Sequence, residues 1–346
     1  MTTRFRLASL ALAALLGAAA AVPATAQEKK TLTISMWGFN GDKLEAFLFK
    51  PFKEKYGVDI VLETGNAGDR LNKVKIRGGG VDLIYLSDVF SETGLQDKMF
   101  EKIDPAKVPN LKDVYPIAQA PQGEGYGPAY TIGRYGIVFD SAKVKPVTSW
   151  ADLWRDDLKK KISLPGFNTT AGPLIALVAA ERKKADPYKE ADKTFASLAE
   201  IKPNLVKTYN TGSELVNLFS TGEVSVAAVQ DFVFPQLKAA IPTAVWADLG
   251  DGAFSTFNTV NVVVGSKNKD LALAFINHHL SAEVQKNLAI AGTDAPANRT
   301  VELTPEQAAP WTYGEATIKA LRRIDYAKVN AAKPDWQDRW NDIFGR

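Results

Sequence analysis

Two extended stretches, residues 126–140 and 257–264, break an otherwise regular alternation of strands and helices. They constrain the fold more than any other feature. Ahead of the first, residues 31–37 (TLTISMW) alternate with period two, as a half-buried strand does. Leu44, Phe47, Leu48 and Phe52 then recur at helical spacing, with Gly57 placed to cap that helix. A strand over 58–62, a polar helix over 69–77 ending in three glycines and a strand over 81–86 complete the series. Strand–helix–strand–helix–strand predicts a parallel α/β sheet.

The same grammar resumes after the first break. Ser149 with Asp152 three residues on forms a near capping box and predicts a helix start. A strand over 162–165 follows, then Asn168-Thr169-Thr170 ahead of a helix over 172–182. A helix carrying Leu215, Leu218 and Phe219 ends at Gly222, and 224–229 reads as a buried strand. Beyond the second break come helices over 269–280 and 282–291. The tail from Pro305 holds two helical segments, with Trp336 and Trp340 on one helix face. A chain that builds one α/β unit, crosses to build another and crosses back gives two lobes on paired strands. Such a hinge suits closure around a ligand.

Composition removes most alternatives. The chain of 346 residues has no cysteine, which excludes disulfides, thiolate metal sites and cysteine nucleophiles. Two histidines, adjacent at 278 and 279 and so facing different directions, make a histidine metal site or proton relay implausible. A formal charge of +3 argues against a nucleic-acid-binding face. There is no G-x-S-x-G elbow and no H-E-x-x-H, and the glycine-rich run 123–127 is followed by proline where a phosphate loop needs a helix. No metal and no cofactor are expected.

The first 26 residues predict a secretory leader: Arg4 and Arg6, an Ala/Leu-rich run over 7–21, and Ala24-Thr25-Ala26 as the cleavage signal. The apolar run is shorter than the roughly 20 residues that span a bilayer. Losing the two leader arginines brings the formal charge from +3 to +1.

In open α/β sheets ligands sit beyond the carboxyl ends of the strands. That rule selects Trp37, Phe39 and Asn40 after the first strand, Asp88 after the third, and Arg134 in the crossing segment. It also selects Thr169 and Thr170 before a helix, and Asp231 after the 224–229 strand. Each has a plainer reading beside it. Trp37 packs a lobe edge, Arg134 bridges to Asp88 or Asp140, Asp231 and the threonines cap helices, and Tyr85 belongs to the core.

The segments Thr148-Ser-Trp-Ala-Asp-Leu-Trp154, Lys160-Lys-Ile-Ser-Leu-Pro165, Gly212-Ser-Glu-Leu-Val216 and Thr221-Gly-Glu-Val-Ser225 resemble those of bacterial extracellular solute-binding proteins. Gly265-Ser-Lys-Asn-Lys-Asp270, Ala295-Pro-Ala-Asn298 and Asp335-Trp-Gln-Asp-Arg-Trp340 strengthen the resemblance, which is to the spermidine/putrescine-binding subgroup serving ABC importers. It implies an α/β, two-lobed periplasmic-binding-protein fold of type II, each lobe a mixed or parallel sheet flanked by helices. Lobe 1 is expected from 27–136 with 260–302, and lobe 2 from 137–259 with 303–346. It further implies a monomer in the periplasm, cut after Ala26, that delivers a small-molecule solute to an ABC-transporter membrane permease and has no business with nucleic acid.

The resemblance places Trp37 at an aromatic position and Asp231 near a pocket position, but Asn258 stands where the subgroup has a carboxylate. Fewer acids, Arg134 and a helix start at Thr169 and Thr170 favour a solute with an anionic group beside its amine. The expected solute is therefore a small amine-bearing compound, polyamine-like or zwitterionic. The alternatives are an aminophosphonate, a thiamine-like compound or a metal ion. An exported hydrolase using a carboxylate pair is the distant one.

Overall fold

The computed structural model describes residues 30–38 and 40–345. The expected leader and Phe39 lie outside the described residues. Strands β1 (Thr31–Met36), β2 (Asp59–Thr64) and β3 (Leu83–Ser87) pair in parallel, with β1 in the middle. The helical run 41–56 ends at Gly57 and the helix Ala67–Arg77 ends at Gly78. Both glycines take a left-handed φ, 63° and 65°, which any Cβ would oppose.

The extended segment 126–140 is one long strand, β4 (Ala129–Asp140). Beyond it lie β5 (Ile162–Pro165), β6 (Leu205–Tyr209), β7 (Val226–Gln230), the short β8 (Ala244–Trp246) and the returning β9 (Phe254–Val262). The sheet runs β2-β1-β3-β9-β4-β7-β5-β6, with β8 on β4. β4 and β9 run antiparallel at its centre and belong to both lobes.

Side-chain packing shows where each crossing strand changes lobe. On β4, Ile132 packs in the first core and Tyr135 in the second. On β9, Phe254 packs in the second and Phe257 in the first. The first core forms around Ile34, Tyr85 and Phe275, the second around Trp150, Ile162 and Trp336. Ile318 and Leu321 lie in the first core, whereas the expectation set the whole tail with the second lobe. The tail returns to the first lobe, crosses beside β9 at Arg322, and enters the second core in the helix Tyr326–Phe344.

The Ser149 box forms with both reciprocal bonds, but it opens a 3-10 turn, Trp150–Trp154, and not an α-helix. The helix expected from 172 starts at Leu174, because the Thr169 hydroxyl closes a turn by accepting the Gly172 N–H (3.0 Å) and donating to the Gly166 carbonyl (2.8 Å). That turn leaves no space at Gly172. A Cβ there would sit 2.2 Å from the Gly166 carbonyl oxygen and 2.6 Å from Phe167 Cα. Both are backbone atoms, so Gly172→Ala is expected to cost about 1–3 kcal/mol, as overpacking usually does. At roughly 2–4 °C per kcal/mol for a domain of this size, thermal unfolding of the variant checks this directly, and an unchanged midpoint contradicts the turn.

Candidate solute site in the cleft

Two adjoining cavities open where β3 and β7 end against the crossing strands β4 and β9. One, of about 320 Å³, has Asp88, Thr131, Thr170, Asp231, Asn258 and Trp311 in its wall. The other, of about 560 Å³, has Trp37, Asn40, Ser213 and Gln236 in its wall. Phe232, Asn258, Thr293 and Asp294 border both and make them one cleft. Neither wall contains a lysine, an arginine or a histidine.

The sequence-selected residues divide among these surroundings. Trp37 stands at the end of β1, its ring 6.2 Å from Tyr85 edge-on and 6.1 Å from Tyr130. Asn40 takes a left-handed φ of 54° just before a helix, a conformation asparagine tolerates better than most residues. Thr170 reaches the cleft, while Thr169 lines a separate small cavity beside Val89 and Asn330.

Arg134 is a correction. Strand alternation turns it, with Gly136, toward Trp246 on β8, and its guanidinium lies 4.6 Å from that ring. Asp231 and Asp248 are the nearby charges. Gly133, of opposite parity, faces the cleft: a Cβ on it would meet Asp231 Oδ1 and Thr256 Oγ1, each at 2.8 Å. Arg134 therefore cannot clamp a solute anion from the cleft wall, and the anionic half of the expected solute loses its cationic partner.

Behind Trp37 the wall is aromatic and uncharged. The Tyr85 hydroxyl lies 2.8 Å from His279 Nδ1, and His279 stacks on Tyr130 at 4.7 Å between centroids. Burial pushes the His279 imidazole down to about 3, so it is neutral, and holds both tyrosines well above their usual range. His278 bonds the Leu48 carbonyl instead (3.1 Å).

The cleft carries three carboxylates. Asp88 accepts the Phe257 N–H and the Val89 N–H, each at 2.9 Å, with the Tyr326 hydroxyl beside it; burial pushes it up to about 7. Asp231 accepts from the Thr312 hydroxyl and faces the Arg134 backbone N–H, and burial raises it too. Asp294 is different. Burial pushes it up to about 7, and among the described residues it has no hydrogen-bond or ion-pair partner. An acid left bare at the junction of two cavities is free for a cation.

Asp294 was missed from sequence, as were Phe232 and Trp311. Asp294 is the residue before Ala295-Pro-Ala-Asn298, a segment noted only as a resemblance; an acid leading into a proline turn at a strand-free stretch was the available signal. The Trp311 indole is anchored on the Ala289 carbonyl (3.2 Å) by tail folding that no local pattern shows. Phe232, 65% exposed directly after Asp231, is an aromatic ring left open to the cleft.

Comparison with known proteins agrees with this architecture. Residues 48–315 match the family described as bacterial extracellular solute-binding protein. A crystal structure of an ABC transporter from Clostridium perfringens is 40% identical, with a TM-score of 0.85, covering 90% of this chain and 99% of that one. The spermidine/putrescine-binding periplasmic protein of Salmonella typhimurium is 26% identical over 70% of this chain and 71% of its own. A putrescine-binding periplasmic protein of Escherichia coli is 25% identical over 92% and 91%.

Proposed function

This chain belongs to the bacterial extracellular solute-binding proteins, and from that premise we propose that it captures a small amine-bearing cation in the interlobe cleft and hands it to the membrane permease of an ABC importer. The observation that carries the reading is Asp294, a carboxylate without a partner among the described residues, in a wall that also holds the rings of Trp37, Phe232 and Trp311 and no cationic side chain. A cation is held by opposite charge and by ring faces. Asp88 and Asp231 add negative potential at the floor of the same cleft.

A diamine or polyamine fits this wall better than a zwitterion, whose anion would meet three carboxylates and no guanidinium. The curated relatives named for spermidine and putrescine support the same solute class. The match to a solute-binding family favours capture over turnover. Export through the 26-residue leader and residence in the periplasm accord with relatives named as periplasmic, and among the described residues no helix is long and apolar enough to cross a membrane.

Thermal unfolding of the exported chain with a solute panel tests the proposal. At 100 times its dissociation constant a solute adds about 2.7 kcal/mol, a rise of roughly 5–10 °C for a protein of this size. Putrescine or spermidine is expected to give that rise, while dicarboxylates and sugars give none. A rise with anionic solutes alone contradicts the reading.

A further inference from the structure

The two lobes repeat one topology: β2-β1-β3-β9 in the first corresponds to β6-β5-β7-β4 in the second. The strands β3 and β7 are thus equivalent, and each runs straight into an aspartate. On β3 the last paired residue is Ser87, opposite Asn258, and the next residue, Asp88, takes the Phe257 N–H at 2.9 Å. On β7 the last paired residue is Gln230, opposite Tyr135, and the next residue, Asp231, stands with its Oδ1 against Gly133 and faces the Arg134 N–H. In both places a side-chain carboxylate stands at the amide that the departing strand would otherwise leave unpaired.

Those amides sit at the switch points. Phe257 is where β9 enters the first core, and Arg134 lies between the last first-core residue of β4 and its first second-core residue. Asp231 is also met by a hydroxyl from the C-terminal segment, that of Thr312, while the buried Tyr326 hydroxyl near Asp88 makes no hydrogen bond. Asp88 is fully buried and Asp231 partly so, and each already accepts hydrogen bonds from the protein itself. A buried amide without an acceptor is costly, so the angle at which each strand leaves its ladder is fixed by where its aspartate stands.

We infer that Asp88 and Asp231 are a matched pair of hinge pins, positioning residues that hold the two crossing strands at their switch points, and that the solute's charge is met by Asp294 instead. The division of labour with Asp294 rests on the proposed solute site. The pinning itself does not.

The absence of native cysteines allows a clean test. Spin labels on Lys55→Cys in the first lobe and Lys193→Cys in the second, both exposed positions, report the interlobe distance in solute-free protein. Asp88→Ala and Asp231→Ala are each expected to widen the distance distribution at least twofold, because alanine has no side-chain oxygen to accept the strand amide. Asp294→Asn is expected to leave it unchanged. A general loss of stability would shift unfolding without widening the distances within folded molecules.

Should either alanine variant fail to fold, Thr312→Val removes the tail hydroxyl on Asp231 and keeps the carboxylate, and it is expected to broaden the distribution measurably. Distributions identical to that of the parent in every folded variant overturn the inference. Because no solute is present, failure of the polyamine reading would show only in the thermal panel and leave this result intact.

Discussion

Asp294→Asn is expected to weaken putrescine binding about a hundredfold while leaving the unfolding midpoint of the solute-free protein unchanged or slightly raised. Removing one partner of a buried, hydrogen-bonded charge pair typically costs 2–5 kcal/mol, and a hundredfold corresponds to about 2.7 kcal/mol. Stability is spared because the carboxylate has no internal partner to lose and burial already disfavours its charge. Calorimetric titration of the variant measures the first effect and thermal unfolding the second. Binding within a factor of three of the parent would place the solute's ammonium elsewhere.

The pH dependence follows from the same residue. Asp294 sits near 7 in the solute-free cleft because burial penalises its charge. The titratable groups facing it are Tyr85 and Tyr130, both held neutral, with Asp88 and Asp231 in the same wall. Its folded value lies above its unfolded one, so the folded solute-free protein holds the proton more tightly, and its stability falls as pH rises from about 4 to 7. A cation requires the ionised form and must displace that proton. Affinity for a diamine is therefore expected to be flat above about pH 8 and to fall up to tenfold per pH unit below about pH 6.5. Heating the solute-free protein and its Asp294→Asn variant at pH 5 and pH 8 isolates this contribution from those of Asp88 and His279: the parent gains more at pH 5 than the variant does, and saturating putrescine narrows that difference. An affinity constant from pH 5.5 to 8 contradicts the assignment of a protonated Asp294.

The fold was legible in its strands and helix ends because their signals are local. Period-two alternation over 31–37, glycines at 57 and 78, and the Ser149–Asp152 box each depend on residues within one turn or strand, and each forms, although the box opens a 3-10 turn in place of the expected helix. Arg134 turned out differently although its signal was also local. Gly133 and Gly136 flank it, and the room they leave is filled by Asp231 on one face and Trp246 on the other; parity along β4 would have put the guanidinium on the Trp246 side.

What no local pattern carries is convergence. Asp294 meets Trp37 and Phe232 only because the segment after the helix Ala282–Ile290 returns beside β1 and β7. The equivalence of Asp88 and Asp231 is invisible as a sequence repeat. It rests on strand order and hydrogen bonding, which constrain where a carboxylate stands but not which residues surround it. The tail shows the same limit: Trp336 and Trp340 share a helix face, as their spacing requires, yet nothing near Ile318 or Leu321 says which core they join.

The most direct test of the central claim is calorimetric titration of the exported chain with putrescine at pH 7, repeated in buffers of different ionisation enthalpy. The account predicts one diamine bound per chain, with release of a fraction of a proton that vanishes in Asp294→Asn. Absence of binding by putrescine and spermidine alike, or binding with no proton released, would contradict it.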